Sequence, residues 1–278
     1  MTNTASILVI GATGKVGSRV LAKLNASGHS ARGVSRQSTP AFDWTDESGW
    51  PAALAGAETA FVTFVPDLAA DGAPEAIQRF TQAAAAAGIK RLVLLSGRGE
   101  TNAIRSENVL LAAGAENTVI RASWFNQNFS EGHLLTSVLG GFVALPAQDR
   151  LEPFIDVDDI ADVAVAALTQ PGHGGELYEV TGPRLMTFAD AAAEISAASG
   201  RPIGYVHLPL DDFHAALVPE VGTDMADLLR KLCAEVFDGR NEHLADGVQR
   251  ALGRQPRDFS DFAREIAATG IWSATEAA

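Results

Sequence analysis

The stretch "ILVIGATGKVGSRVLAKL", residues 7–24, constrains the fold more than any other part of the chain. It sets Gly11, Gly14 and Gly17 between a strand-like apolar run and a helical segment. Glycine at the first position permits the tight turn, at the second lets the backbone approach a pyrophosphate, and at the third lets helix and strand pack closely. The helix N-terminus then turns free N–H groups toward the anion. A glycine triad alone is also an ordinary packing turn; the strand before it and the helix after it make it a dinucleotide loop, with Thr13, Lys15 and Val16 inside it.

Beyond this loop, short β-rich runs alternate with alanine-rich amphipathic segments, the pattern of βαβ units in a parallel sheet. Strands are expected at 7–10, 31–35, 60–65, 91–96 and 118–121, and helices at 15–27, 74–87 and 101–113. Gly28, Gly88 and Gly114 stand at the helix ends as left-handed caps. After Arg121 the alternation breaks. "SWFNQNFSEGHLL" leads into a helix, "GGFVALPAQDRLEP" reads as a hairpin or loop, "DVDDIADVAVAALTQPG" is a helix capped by Asp158, and "GELYEVTGP" returns a strand to the sheet. The expected fold is a Rossmann doubly wound α/β sheet with a smaller, mostly helical C-terminal substrate lobe. Residues 1–182 form the nucleotide domain, with part of the lobe inserted around 129–155, and 183–278 form the lobe, which holds one further strand near 204–208. A ligand is expected in the crevice beyond the carboxyl ends of the strands.

Of the 278 residues, 47% are hydrophobic, enough for a sizeable core. The apolar runs are strand-sized, shorter than the roughly 18 to 20 residues of a membrane span. "MTNTAS" lacks the pattern of a secretory signal, and the single Cys233 permits no internal disulfide, so a reducing cytoplasm is expected. A net charge of −13 argues against nucleic-acid binding. The first 42 residues nevertheless carry +5, from Lys15, Arg19, Lys23, Arg32 and Arg36, and no acid. That segment reads either as built to meet an anion or as a solvated helix face. No His/Cys/Asp spacing suits a metal.

At the end of the second strand, an NAD site usually offers an acid to the ribose hydroxyls, whereas this chain offers "GVSRQST". Ser35 and Arg36 suit a 2′-phosphate, which points to NADP(H). Asp43 in "AFDWTD" stands either near the adenine or in a turn. Val65 and Pro66 end the third strand and are placed along the cofactor; Ser96 and Gly97 end the fourth, near the nicotinamide. Trp124, Phe125, Asn126, Asn128 and Phe129 follow the fifth as pocket wall or as packing, with His133 a further proton-donor candidate and His207 either facing the crevice or alternating on a strand.

"GATGKVG", "FDWTDESGW", "SWFNQNFSEGHL", "PFIDVDDIADVAVAALT", "ELYEVTGPRLMTFADAAAEIS" and "GRQPRDFSDFARE" together resemble the NmrA-like atypical short-chain dehydrogenase/reductases, most of all the branch of the ergot-alkaloid reductases, agroclavine and festuclavine dehydrogenase. The resemblance runs in order over nearly the whole chain. It implies an NAD(P)-binding Rossmann domain, a substrate lobe and reduction of a small molecule, often an iminium in secondary metabolism, by a monomer or homodimer. The same family includes quinone reductases and regulators that bind the dinucleotide without turning it over.

Typical short-chain dehydrogenases donate a proton from a Tyr-x-x-x-Lys pair. This chain has two tyrosines, Tyr178 and Tyr205, with Gly182 and Pro209 four residues on, and Ala103 stands where the resemblance places a lysine. Hydride addition to an iminium neutralises an existing cation and needs no proton at the reacting atom, so the missing pair disfavours alcohol dehydrogenation far more than imine or quinone reduction.

Overall fold

Strand-to-strand alternation of apolar side chains builds the sheet, because a parallel strand covered on both faces must be apolar on both. The computed structural model describes residues 7–132 and 134–273. The chain runs through β1 (Ile7–Ile10), α1 (Lys15–Ala26), β2 (Ala31–Val34), a 3-10 turn (Glu47–Gly49), α2 (Trp50–Leu54) and β3 (Thr59–Val62). It continues through α3 (Ala73–Ala86), β4 (Arg91–Gly97), α4 (Thr101–Ala113), β5 (Thr118–Ala122), α5 (Asn128–Glu131) and α6 (Leu134–Leu139). Then come β6 (Phe142–Leu145), β7 (Leu151–Glu152), α7 (Val157–Thr169), β8 (Leu177–Val180) and β9 (Met186–Thr187). The last elements are α8 (Phe188–Ser199), β10 (Gly204–His207), α9 (Leu210–Val221), α10 (Thr223–Val236), α11 (Gly247–Leu252) and α12 (Phe259–Ala268).

Two compact units result. The first comprises residues up to Ala122, Val157–Val180 and Asp246–Arg254; the second comprises Ser123–Asp156, Thr181–Ala245 and Gln255 onward. The expected boundary at 182 and insertion at 129–155 therefore differ from these units, and a short segment around α11 rejoins the first. Gly247 explains that return: its bare Cα lies against the Glu179 backbone of β8, where any Cβ would overlap the carbonyl.

The first unit is a six-stranded sheet in the order β2-β1-β3-β4-β5-β8, every pair parallel. Leu8, Ile10, Ala60, Val62, Leu92, Leu94 and Val119 face one hydrophobic cluster with Trp50, Ile77, Phe80 and Leu110. The alternate residues Val9, Phe61, Val93 and Ile120 are equally buried, as period-two alternation requires of a sheet covered on both faces. Helix α7 is buried around much of its circumference, from Val157 to Leu168.

N-terminal cations are engaged inside the protein. Lys23 pairs with Asp162 at 2.8 Å and Asp158 at 3.2 Å, Arg19 lies 3.5 Å from Asp158, and Arg32 donates to the Ala53 and Ala55 carbonyls. Asp158 thus lies in the first turn of α7, which begins at Val157, and is not its cap. There its charge also complements the positive N-terminal end of the helix dipole. Gly28 and Gly88 close their helices at positive φ, but Gly114 is extended, at φ −175 and ψ 141. The reason is Asn117, whose amide donates to Leu110 O and accepts from Leu92 N, both at 2.9 Å, ending α4 with a side chain.

The second unit packs Phe129, Phe154, Phe188, Phe259, Phe262 and Trp272 into one aromatic core. The segment expected as a hairpin or loop supplies β6 and β7, whose partners are distant in sequence: β6 pairs in parallel with β10, and β7 antiparallel with β9. Among the described residues no helix is long and apolar enough to cross a membrane.

Replacing Gly247 by Ala is expected to destabilise the protein by about 1–3 kcal/mol through overpacking. Ala at Gly204, where nothing lies within 4 Å of the added carbon, serves as the neutral comparison in urea denaturation.

Candidate functional site

Sheet order fixes where a ligand can enter the first unit. β1 has β2 on one side and β3 on the other, so the chain reverses direction of winding there, and open α/β sheets bind ligands beyond the carboxyl end of such a switch point. Gly11 follows β1 at φ 76, a left-handed conformation. Its missing Cβ leaves room for the Thr63 hydroxyl, which donates to Ile10 O at 3.0 Å and ties the end of β1 to the segment after β3. Gly17 seats α1 against the Gly11 carbonyl, where a Cβ would collide. Gly14 stands at the start of α1 without a side-chain cap, and the first turn holds no acid. Thr13 and Gly14 are exposed, Lys15 is partly so, and Val16 is buried beneath them. This is a bare backbone cradle at a helix N-terminus, open to an anion and repelling none.

At the end of β2, Ser35 N donates to Ser38 Oγ at 2.9 Å, and Ser38 Oγ donates on to Ser35 O and Pro40 O. The Ser35 hydroxyl accepts from Gln37 N at 3.3 Å, and Arg36 projects into solvent. Asp43 forms a turn: one carboxylate oxygen accepts from Thr45 N and Thr45 Oγ1, and these bonds, with Arg36 nearby, hold its carboxyl below the ordinary range. Its carbonyl is fixed by the Trp50 indole at 2.7 Å.

β3 ends at Val62, so Val65 and Pro66 lie in the loop beyond it, with Val65 48% exposed. β4 runs on to Gly97. There the Ser96 hydroxyl donates to buried Glu107 at 2.7 Å and Glu100 folds its carboxyl over Gly97. Asp67 in the β3 loop takes a hydrogen bond from Ala69 N at 2.8 Å and shares one with Glu100. Burial raises its carboxyl above the usual range, against those bonds. Asn102 joins the same loop to α4 through the Ala69 and Ala70 carbonyls, both at 3.2 Å.

Tyr178 belongs to the first unit and Tyr205 to the second. The Tyr178 hydroxyl lies 2.8 Å from His173 Nδ1, and the Tyr205 hydroxyl donates to Leu145 O at 3.2 Å. Burial raises both phenols above their ordinary range and lowers His173 below its own. Ala103 is wholly buried in α4.

In the second unit, Trp124 stacks on Phe237 at 5.3 Å and meets Phe188 edge-on at 5.4 Å. Phe125 forms a bridge with Ile155, and Asn128 opens α5. Of the two roles left open for Phe129, the packing one matches its surroundings: it is 0% exposed, edge-on to Phe154 and Phe259, and its carbonyl accepts from the Trp272 indole at 2.9 Å. Asn126 is fully buried and neither of its amide atoms has a hydrogen-bond partner. His207 is exposed and accepts from Gln148 N, and His133 lies outside the described residues. No group of three potential ligands suits a metal among the described residues.

No protein-family profile matches the chain. It is 33% identical to the NAD(P)H azoreductase of Xenophilus azovorans over 94% of its own length and 98% of that protein's. The chain belongs to the NmrA-like atypical short-chain dehydrogenase/reductases. It is 32% identical to the agroclavine dehydrogenase of Claviceps fusiformis, across 92% of this chain and 96% of that one. The Citrobacter sp. triphenylmethane reductase, solved with NADP(H), has the same fold at a TM-score of 0.79 and 18% identity, covering 94% of this chain and 99% of that chain. The NmrA-like family membership places the chain among NAD(P)H-dependent reductases.

Sequence reasoning overlooks several polar residues of this NmrA-like site: Thr63, Asp67, Arg98, Glu100, Glu107, Arg121 and Glu179. The signal for two of them is a charge inside an otherwise strand-like run, Arg121 in "TVIRA" and Glu179 in "LYEV".

Because Asp67 holds its proton more tightly than the ordinary value of 3.8, its contribution to stability is complete below that value and is lost as pH rises through the raised folded one. Asp67→Asn removes this titration. The difference in Tm between variant and wild type should move in the variant's favour between about pH 4 and about pH 8, read by thermal melts across that range.

Proposed function

We propose that the protein is an NADPH-dependent reductase that delivers hydride to a conjugated or cationic organic acceptor without a tyrosine proton donor. The observation that carries this reading is that both tyrosine hydroxyls are hydrogen-bonded within their own units, Tyr178 at His173 and Tyr205 at Leu145 O, while Ser96 at the carboxyl end of β4 is committed to Glu107. Such a site suits an acceptor whose reduction needs little or no protonation by the protein: an iminium, a triarylmethyl cation, or a quinone or azo bond protonated by water.

The residues present fit the dinucleotide. Gly11, Gly14 and Gly17 with the uncapped start of α1 would hold the pyrophosphate through backbone N–H groups, with Thr13, Lys15 and Val16 in the same loop. Arg36, exposed beside the Ser35 hydroxyl, would hold the 2′-phosphate, a group an acid at that place would repel. Asp43, ionised and near Arg36, would take the adenine side through its remaining oxygen. Val65 and Pro66 offer an apolar surface for the cofactor to cover, and Gly97 beside Ser96 offers backbone under the nicotinamide. NADPH, when bound, supplies the hydride. The chain's part is to orient the ring and exclude water from it. Trp124, Phe125 and Asn128 are the substrate-contacting residues of this reading, in a soluble cytoplasmic enzyme acting in secondary metabolism, as monomer or homodimer.

The relatives support that acceptor range: one is named an azoreductase, another agroclavine dehydrogenase. NADPH consumption followed against a quinone, an azo dye, a cyclic iminium and a triarylmethyl cation should show turnover with at least the cationic acceptors and none with simple ketones. Tight NADPH binding without turnover on any acceptor would overturn the enzyme reading in favour of a dinucleotide-sensing regulator. Arg36→Asp is expected to weaken NADPH binding by about 2 kcal/mol through lost charge-assisted hydrogen bonds and to leave NADH binding little changed, as calorimetric titration would show.

A further inference from the structure

The end of β4 is held from beneath by a ring of charged and polar side chains that no chemistry in the proposed reaction uses. Register brings it together: Ser96 on β4 stands beside Arg121 on β5, which stands beside Glu179 on β8. From α4, Glu107 reaches down to this row. It accepts from Ser96 Oγ at 2.7 Å and from Arg121 twice, through Nε at 3.0 Å and through Nη2. Arg121 Nη1 continues to Glu179 at 3.3 Å, and Glu179 accepts from Arg98 Nε at 2.7 Å. Arg98 is two residues beyond Ser96, so the path leaves β4 on one side of Gly97 and rejoins the chain on the other.

The burial is deep. The Glu107 side chain is 1% exposed and that of Arg98 3%. Two carboxylates face two guanidiniums, so the ring carries no net formal charge and each ion meets a counter-ion by direct hydrogen bond. Removing one member of such a set leaves its partner buried and uncompensated, so the arrangement has one favoured geometry. The backbone agrees: Arg98 N donates to Ala122 O at 3.1 Å, extending the β4–β5 ladder past Gly97, and Gly99 turns the chain at φ 81. With Ser96 and Arg98 drawn inward and the Glu100 carboxyl packed on one side of the Gly97 Cα, the turn leaves the glycine backbone at 97 and 99 partly exposed.

We propose that Glu107 is a positioning residue which, through Ser96 and Arg121, sets the height and tilt of the Gly97 backbone on which the nicotinamide rests. The inference builds on the reductase reading. In it, the buried polar groups beneath β4 hold the cofactor platform still and take no part in proton transfer. Misplacement of a reacting group by about 1 Å costs on the order of 100-fold in rate, so a platform of this kind affects hydride transfer more than affinity.

Two variants test it, each with the full chain. Glu107→Gln keeps shape but breaks the ionic link; Ser96→Ala removes one uncharged bond and serves if the first variant does not fold. Each is compared with wild type by NADPH titration, by the fluorescence lifetime of bound NADPH, and, with an accepted substrate, by kcat, KM and the isotope effect with NADPH deuterated at the transferred position. Expected are NADPH affinity within about threefold of wild type, a shortened lifetime, kcat lowered roughly 10- to 100-fold and a larger isotope effect. Ser96→Thr, which retains the hydroxyl, should recover most of the Ser96→Ala loss. An unchanged lifetime and isotope effect in folded Ser96→Ala protein, or a loss that follows affinity alone, would overturn the proposal. Should wild type bind NADPH and reduce nothing, the reductase reading falls, and the lifetime comparison still decides whether the ring positions the nicotinamide.

Discussion

The close approach of α1 to the end of β1 is the constraint on which the first unit depends. Gly17 rests on the Gly11 carbonyl, and Gly11 in turn leaves the space that the Thr63 hydroxyl fills on its way to Ile10 O. Gly11 and Gly17, six residues apart, thus meet at one point with Thr63, which lies 53 residues beyond Ile10 and reaches in through its hydroxyl. That contact places the first turn of α1 beside the switch point of the sheet, exposing N–H groups where a phosphate can reach them. The α1 cations that seem aimed at the anion take another role: Arg19 and Lys23 hold α1 to α7 through Asp158 and Asp162, so the electrostatics of the loop come mainly from backbone and the helix end.

The carboxyl end of β4 illustrates how polar groups can be plentiful near a site and unavailable to it. Ser96, Arg98 and Glu100 are all turned inward, and Arg121 is held protonated by its bonds to Glu107, against the cost of burial. Burial opposes ionisation of Glu179, yet Arg98 and Arg121 keep its carboxyl below the ordinary range. A network so fully satisfied is rigid and chemically quiet. In the proposed reaction the chain acts by placing groups, and the burden of reactivity falls on cofactor and acceptor. Cys233 is quiet for a different reason: burial pushes its thiol up to about 12, leaving little thiolate to react.

Much of the first unit was legible in the chain itself. Apart from α2 and the 3-10 turn before it, which were not expected, the strands and helices up to α4 lie within a few residues of where period and glycine spacing place them, because each is a local pattern of buried and exposed positions. The third strand is the instructive exception: the apolar run continues to Val65, but the ladder stops at Val62, since Phe64 and Val65 pack or project in the loop without a neighbouring strand to pair with. In the second unit, "GGFVALPAQDRLEP" read only as a hairpin or loop because the partners of its strands, β10 and β9, lie dozens of residues away. Phe129 could be read as pocket wall or as packing for a similar reason, since nothing local reveals that Phe154, Phe259 and Trp272 surround it.

By itself the sequence determined the glycine cradle, the alternation that makes a parallel sheet, the absence of an acid after β2 and the absence of a Tyr-x-x-x-Lys pair. Each is a statement about neighbours along the chain. Only the tertiary structure decided which polar groups meet: that Ser96, Arg121 and Glu179 fall side by side, that Glu107 reaches them from a helix, and that the tyrosine hydroxyls are bonded to His173 and to Leu145 O. Strand register and helix packing fix those pairings across long separations. Their energies depend on burial that no local window of sequence records.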